Sequence, residues 1–197
     1  MNVKEAISLP LEDADIQYVE RCFSRSQSDL YLNALMEQIP WRQEHVKVFG
    51  KTYLQPRLTA LFGNTDKTYS YSSLTLFPTP YPPLLNEIRS EIETYCNVSF
   101  NCCLANLYRN GNDSNGWHSD NEKELGDQPV IASVSFGAER FFHLKHRNKK
   151  ELRHKIKLAH GSLLIMKGRT QEHWLHQIPK TKQIIGNRIN LTFRIII

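Results

Sequence analysis

Two histidines and one aspartate are suited to a metal site in this 197-residue chain. His118 and Asp120 are two residues apart, so in an extended strand both side chains leave the same face and can reach one ion. His176 completes a set of two imidazoles and one carboxylate. Such a set suits non-haem Fe(II), because three protein ligands leave positions open for a co-substrate and dioxygen. Zinc is the main competitor, since it accepts the same donor atoms.

The segment from Arg188 to Arg194, Arg-Ile-Asn-Leu-Thr-Phe-Arg, alternates strictly between polar and apolar residues. This period of two predicts a β-strand with one face in the core and the other lining a site. Each guanidinium on the polar face can bind a carboxylate through two parallel hydrogen bonds. A ligand with two carboxylates therefore fits, and 2-oxoglutarate also has a keto group that can chelate iron. The segment thus favours iron over zinc.

Turn signals and periodicity predict the elements that position these residues. Residues 28–39 are predicted to form a helix with Ser28 as its N-cap, and Pro40 ends it. Residues 44–49 alternate like a strand that turns at Gly50. Prolines 82 and 83 open a second helix, because proline is tolerated in the first helical turn. Its apolar stripe contains Leu84, Leu85, Ile88, Ile92 and Tyr95.

From about residue 98 the pattern is nearly all strand. Strands are predicted near residues 102–109, 130–137, 139–146, 151–158, 162–167, 172–178 and 188–196. Many short strands after two helices indicate an α+β fold, mainly β, in which helices pack on one sheet of a sandwich or jelly roll. The length fits a single domain over residues 1–197, and we find no internal repeat or linker.

The composition of the chain favours certain classes of binding partner and a cellular compartment. Net charge is +5 and the isoelectric point is near 9.0, which favours a polyanionic partner, although an ordinary basic protein has the same balance. The four cysteines form no CxxC pair and are predicted to be reduced. No signal peptide or membrane span is evident. We expect an intracellular monomer with no membrane partner, cytoplasmic if bacterial and nuclear if eukaryotic.

Over roughly residues 46–197 the chain resembles the AlkB family of Fe(II)- and 2-oxoglutarate-dependent nucleic-acid dealkylating dioxygenases. The matching motifs are Asn106-Leu-Tyr108, His118-Ser-Asp120, Ile131-Ala-Ser-Val-Ser-Phe-Gly137, His160-Gly-Ser-Leu-Leu164, His173-Trp-Leu-His176 and the run from Arg188 to Arg194. The resemblance implies a double-stranded β-helix core over about residues 98–197, preceded over about residues 1–97 by helices and a nucleotide-recognition lid. It implies O2 as oxidant, Fe(II) held by His118, Asp120 and His176, and 2-oxoglutarate held by Asn106, Tyr108, Arg188, Thr192 and Arg194. His173 is the alternative to His176.

Within this family the chain looks most like the branch that repairs duplex DNA. That branch has a Val-Phe-Gly-Lys hairpin that probes the helix and a Tyr-x-aromatic element beside the flipped base. The resemblance therefore places the substrate against Phe49, Gly50, Lys51, Tyr69, Ser70, Tyr71, Asn121 and Glu122. Two positions depart from the branch: Asn121 replaces an acidic residue, and Tyr71 stands where phenylalanine is common. Base preference is the property that the first change puts in doubt.

The function implied by the resemblance is oxidative DNA dealkylation. Bases such as 1-methyladenine and 3-methylcytosine would be flipped out of alkylated duplex DNA, hydroxylated on the alkyl carbon and freed of it as an aldehyde. Phosphates would be contacted by Arg57, the loop Lys145–Lys150, Lys180 and Lys182. A solvated hairpin tip is the alternative for that loop. Single-stranded DNA or RNA remain possible substrates, and the alternative functions are a dioxygenase acting on RNA or protein and a non-catalytic nucleic-acid-binding β domain.

Overall fold

The computed structural model describes residues 5–48, 50–63, 69–71, 74–76 and 78–197. The helices are α1 (Arg25–Gln38), α2 (Pro83–Cys96) and the single-turn α3 (Thr170–His173), with a short 3-10 helix at Lys123–Leu125. The strands are β1 (Ile7–Ser8), β2 (Asp15–Val19), β3 (His45–Val48), β4 (Lys51–Leu54), β5 (Leu58–Gly63), β6 (Tyr69–Tyr71), β7 (Leu74–Leu76), β8 (Cys102–Tyr108), β9 (Asn115–His118), β10 (Ile131–Gly137), β11 (Arg140–His146), β12 (Arg153–Leu158), β13 (Ser162–Lys167), β14 (Trp174–Ile178) and β15 (Arg188–Arg194). Among the described residues, no helix is both long enough and apolar enough to cross a membrane.

Two antiparallel sheets form the core of the molecule. The large sheet has the order β1-β2-β13-β10-β15-β8-β5, and the small sheet has the order β12-β11-β14-β9. Two hairpins, β3-β4 and β6-β7, stand apart from these sheets. The structure confirms the predicted mainly β fold with a jelly-roll core and helices packed on one sheet.

The large sheet separates two apolar clusters. One cluster joins its outer face to the helices and includes Leu35 of α1, Ile88 of α2 and Ile189, Leu191 and Phe193 of β15. The other lies between the sheets and includes Leu104, Phe142, Leu144, Leu164 and Trp174. Since the apolar residues of β15 face the helices, its polar residues face the space between the sheets.

The first helix begins earlier than predicted. Ser24, not Ser28, is its N-cap, because Ser24 and Gln27 form a capping box in which each side chain accepts a hydrogen bond from the other's backbone N–H. Ser28 lies within the first turns, fully buried, and its hydroxyl donates to the carbonyl of Ser24. The second helix begins at Pro83 as predicted, and Leu85, Ile88 and Ile92 are buried on its apolar stripe.

The predicted strand over residues 172–178 is wrong at its start. Residues 170–173 form the single turn α3, in which the Thr170 hydroxyl donates to the carbonyl of Lys167. The strand starts at Trp174, where pairing with His146 begins. His173 therefore leaves the chain from a helical turn and His176 from a strand.

The N-terminal half also contributes strands that the sequence pattern did not predict. Strand β2 pairs with β13, and β5 pairs with β8. The half that precedes residue 98 thus supplies part of the large sheet in addition to its helices.

Gly161 allows a close approach between the β12–β13 connection and α1. Its φ is +77°, and an added Cβ would overlap Ser28 Oγ and lie 3.1 Å from the carbonyl oxygen of Phe23. We expect Gly161→Ala to lower the free energy of unfolding by about 3 kcal/mol, the combined effect of left-handed backbone strain and overpacking.

Gly50→Ala is the matched control in urea unfolding, because Gly50 has the same φ and no described heavy atom within 4 Å of an added Cβ. Only the backbone strain of about 1–2 kcal/mol should remain there. Equal losses in the two variants would show that close packing at Gly161 is unimportant.

Candidate active site

The predicted metal ligands converge between the two sheets. One donor atom from each of His118, Asp120 and His176 lies within 4.8 Å of the others. His118 and His176 are directly opposite on the paired strands β9 and β14, with ring centroids 4.3 Å apart. His118 ends its strand and Asp120 lies two residues beyond it, so the strand holds one ligand and the irregular segment after it holds the other.

The hydrogen bonds of His118 leave the correct nitrogen for a metal. Its Nδ1 lies 2.8 Å from the carbonyl oxygen of Gly116, which can only accept, so Nδ1 carries the proton. Its Nε2 therefore keeps a lone pair, and the amide of Asn115 lies 3.2 Å from it. A backbone carbonyl on the far nitrogen is the usual arrangement behind a metal-bound histidine.

Both imidazoles are neutral at physiological pH. Burial lowers the pKa of His118 below its ordinary value. Burial, reinforced by neighbouring His118, lowers the pKa of His176 to about 3. The ring of Phe142 stacks on His176 at 5.0 Å and shields it. Neutral imidazoles are the form that binds a metal.

Asp120 is an ionised carboxylate held from two sides. Its burial alone would raise the pKa, but Arg194 and then the two histidines more than offset burial and lower the pKa to about 2. The Arg194 guanidinium donates to Asp120 Oδ1 at 2.7 Å. The backbone N–H of Asp120 donates to the side chain of Gln171, which is almost fully buried. The carboxylate therefore has a fixed direction before any metal binds.

His173 belongs to a different cluster. Its ring stacks on His146, and these two histidines with Asp13 form the second His/Asp group among the described residues. Backbone N–H groups of Asn148 and Lys149 point at Nδ1 of His146, so Nε2 carries the proton and faces Asp13 at 3.3 Å. Both nitrogens of His146 are thus used in hydrogen bonds, so neither is available to bind a metal. This cluster is a structural contact. The geometry favours His176 over His173 as the third ligand.

The predicted 2-oxoglutarate residues share one lining. Strands β8 and β15 pair so that Tyr108 lies opposite Arg188 and Asn106 lies opposite Asn190. The cavity between the sheets is lined by all three metal-ligand candidates and by Asn106, Tyr108, Arg188, Thr192 and Arg194. The structure therefore brings together every residue predicted for iron and for the co-substrate.

Arg188 is prepared for an anion. It is almost completely buried; one Nη donates to Ser135 Oγ, while Nε and the other Nη have no hydrogen-bond partner among the described residues. Its guanidinium lies 5.0 Å from the Tyr108 ring centroid. Burial lowers its pKa to about 10, so it is still charged at neutral pH. Two buried donors without partners on a cation fit a carboxylate of 2-oxoglutarate.

Four of the predicted substrate residues, Gly50, Lys51, Asn121 and Glu122, are not in this cavity lining. Asn121 is exposed and accepts a hydrogen bond from Ser119, and Glu122 is half-buried at the N-cap of the 3-10 helix. Gly50 forms the turn between β3 and β4, and Lys51 is exposed beside it. Phe49 lies outside the described residues, and Tyr69, Ser70 and Tyr71 are described only as the backbone of β6.

The predicted phosphate contact at Arg57 is wrong. Arg57 is buried, and its Nε donates to Oδ1 of Asn106 at 2.8 Å, so it orients a cavity residue and cannot meet a backbone phosphate. In the basic loop, Lys149 pairs with Glu12 and Asp13, and Arg147 donates to Ser119. Lys180 and Lys182 are exposed.

Sequence reasoning missed three side chains that support the site. They are Arg57 on Asn106, Gln171 on the backbone of Asp120, and Asn190, which donates to Ser133 and accepts from Thr192. Asn190 alone had a detectable signal, because it lies on the polar face of the alternating β15 segment.

Comparison with known proteins identifies the family. The model of the 2OG-Fe(II) oxygenase superfamily matches residues 15–194. The chain belongs to this superfamily. Among curated relatives, human alpha-ketoglutarate-dependent dioxygenase alkB homolog 3 is 43% identical over 85% of this chain and 61% of its own length. Mouse DNA oxidative demethylase ALKBH2 is 37% identical over 87% of this chain and 76% of its own length. The resemblance to AlkB proteins is confirmed.

The chain spans about three fifths of the alkB homolog 3 relatives that it matches. A solved structure of OsALKBH1 superposes with a TM-score of 0.67, covering 97% of this chain and all of that one, at 16% identity. At that identity the match supports the fold. Membership of the superfamily implies Fe(II), 2-oxoglutarate and O2 as cofactor and co-substrates.

Proposed function

We propose that this protein is an Fe(II)- and 2-oxoglutarate-dependent dioxygenase that removes alkyl groups from nucleic-acid bases. The observation that carries the proposal is the cluster of half-buried His118 with buried Asp120 and His176, in one cavity with the Arg188 guanidinium. Two nitrogens of that guanidinium have no hydrogen-bond partner among the described residues. The names of the curated relatives, a dioxygenase and a DNA oxidative demethylase, support the reaction class and the substrate.

The metal-ligand candidates, Arg188 and three supporting side chains have defined parts in this proposal. The two neutral imidazoles and the Asp120 carboxylate would hold the iron, and Arg188 would neutralise a carboxylate of 2-oxoglutarate. Gln171 and Arg194 keep Asp120 directed at the site, while Arg57 orients Asn106. Bound iron, with 2-oxoglutarate and O2, supplies the oxidation that inserts one oxygen into a C–H bond and yields succinate and CO2. The protein contributes placement and exclusion of water.

The chemistry of the product follows from the position of the hydroxyl group. A hydroxylated N-alkyl carbon carries oxygen and nitrogen on the same atom, so the C–N bond breaks readily as the hydroxyl proton leaves. The alkyl group departs as an aldehyde, which is formaldehyde for a methyl group, and the ring nitrogen recovers its electron pair. We propose 1-methyladenine and 3-methylcytosine in DNA as the substrates.

These lesions lie on the pairing edge, so the base must leave the duplex to reach a buried site. A lesion that prevents pairing also lowers the cost of flipping. We propose that the β3–β4 hairpin, with Gly50 at its turn and Lys51 after it, carries Phe49 as the wedge that fills the gap. Tyr69 and Tyr71 would stack on the flipped base, with Glu122 and Asn121 at its edge.

The experiment incubates the protein with Fe(II), 2-oxoglutarate and ascorbate and offers methylated oligonucleotides in single- and double-stranded form. Mass spectrometry should record loss of the methyl mass by wild type and none by His118→Ala. Equal behaviour of the two proteins would overturn the dealkylase proposal. Phe49→Ala tests the wedge: a loss confined to duplex substrate supports it, whereas unimpaired duplex repair contradicts it. Absence of methyl loss from every DNA substrate, with succinate still formed, would favour a dioxygenase acting on RNA or protein.

A further inference from the structure

The small sheet has an outer face that points away from the space between the sheets. Burial alternates along its strands: in β11 the even positions Phe142 and Leu144 are buried, and the odd positions, Phe141 among them, are more exposed. In β12 the odd positions 153, 155 and 157 are exposed. We define the outer basic face as Trp117 of β9, Phe141, His143 and Lys145 of β11, Arg153, Lys155 and Lys157 of β12, and Leu175 and Gln177 of β14.

Strand register makes these residues one continuous surface. Phe141 pairs with Lys157, His143 with Lys155, and Lys145 with Arg153. On the other side of β11, His143 pairs with Gln177 and Lys145 with Leu175. Paired residues share a face of the sheet. Trp117 extends this face onto β9, where it directly precedes the metal-ligand candidate His118.

The face combines cations with exposed aromatic rings. Trp117 is 39% exposed and Phe141 is 41% exposed, which is unusual for such large apolar side chains. The Lys145 ammonium lies 4.4 Å from the Trp117 ring centroid, and the Lys155 ammonium lies 4.8 Å from that of Phe141. None of its nine positions is acidic, and at its border Glu139 pairs with Lys157.

The helices do not cover this surface. Both α1 and α2 pack in the apolar cluster on the outside of the large sheet, on the opposite side of the molecule. The inward-facing residues of β9 and β14, His118 and His176, line the cavity. Of the nine residues of the outer basic face, Gln177 alone also borders the cavity, and the Trp117 end adjoins the candidate metal site along the chain.

We propose that the outer basic face binds a single-stranded segment of nucleic acid. Its cations match the phosphates in charge, and its rings offer stacking surfaces to unpaired bases. A duplex would satisfy the cations alone, because its base faces are stacked on one another. The inference rests on the proposed function, because it takes nucleic acid as the polyanion. It adds to the cavity a second binding surface, which would hold the part of the strand next to the lesion.

The test measures binding of an unmodified oligothymidylate by the 197-residue protein carrying Phe141→Ala and Lys155→Ala. Loss of one stacking ring together with one cation should weaken binding at least about tenfold. The slope of log affinity against log salt should fall by about 0.7 for the lost phosphate contact. Arg25→Ala with Leu30→Ala is the matched control, since it removes one exposed cation and one exposed apolar side chain from α1.

A second variant, Phe141→Leu, keeps the apolar bulk and removes only the ring, and its thermal unfolding should match that of wild type. Weaker oligothymidylate binding by both Phe141 variants, with unchanged binding by the α1 control, supports the outer basic face. Unchanged binding by both Phe141 variants overturns it. Dealkylation of a methylated trinucleotide, measured in parallel, reports on the cavity alone. Its absence from wild type would count against the proposed function, while the binding comparison would still decide this inference.

Discussion

His176→Ala is expected to abolish succinate formation from 2-oxoglutarate, with a rate more than about a hundredfold below wild type. Loss of a residue behind a ligand typically costs 10- to 100-fold, so loss of a ligand should cost more. Metal binding should fail as well, which a titration of the metal-free protein with Co(II) would measure by absorbance.

His173→Ala is the matched control for that experiment. It removes an imidazole three residues away, whose ring stacks on His146 outside the cavity. We expect this variant to keep Co(II) binding and succinate formation within a fewfold of wild type. If His173→Ala lost both and His176→Ala kept both, the ligand assignment would have to be reversed.

Arg188→Met is expected to weaken 2-oxoglutarate binding by about a hundredfold or more. Charge-assisted hydrogen bonds contribute about 1.5–3 kcal/mol each, and two buried donors of Arg188 have no partner among the described residues until a carboxylate arrives. Arg188→Lys should fall between wild type and Arg188→Met, because it keeps a charge but loses the planar fork.

The same substitution should not destabilise the ligand-free protein. Burial lowers the pKa of Arg188 to about 10, which shows that the folded state disfavours its charge. Replacing it with an apolar side chain should therefore leave the melting temperature of the ligand-free protein unchanged or higher. Thermal unfolding with Mn(II) in place of Fe(II) would measure both effects, since 2-oxoglutarate should raise the melting temperature of wild type alone. A large drop for ligand-free Arg188→Met would mean that Arg188 is mainly structural.

The C-terminal strand shows how much of the site could be predicted from the sequence. Its period of two placed Arg188 and Arg194 on one face, and the structure puts that face in the cavity and the apolar face against the helices. The supporting residues could not be predicted in this way. Gln171 is 51 positions from Asp120 and Arg57 is 49 from Asn106, so only the strand order brings each pair together.

Predictions from local sequence patterns were wrong for some elements. Ser28 was predicted as the N-cap of α1, but the capping box between Ser24 and Gln27 starts the helix one turn earlier. The positive charge of Arg57 is what a phosphate contact requires. Its burial, however, follows from its position just before β5, which pairs with β8. The β2 and β5 segments are short, and their strand state depends on partners far away in the sequence.

The most direct test of the central claim compares product amounts from one reaction with an oligonucleotide that carries 1-methyladenine. The account predicts one formaldehyde and at least one succinate for each methyl group lost, and neither methyl loss nor formaldehyde with His176→Ala. Succinate without methyl loss from any DNA or RNA oligonucleotide would show an oxygenase with another substrate. Methyl loss that persists in His176→Ala would contradict the assignment of the cavity itself.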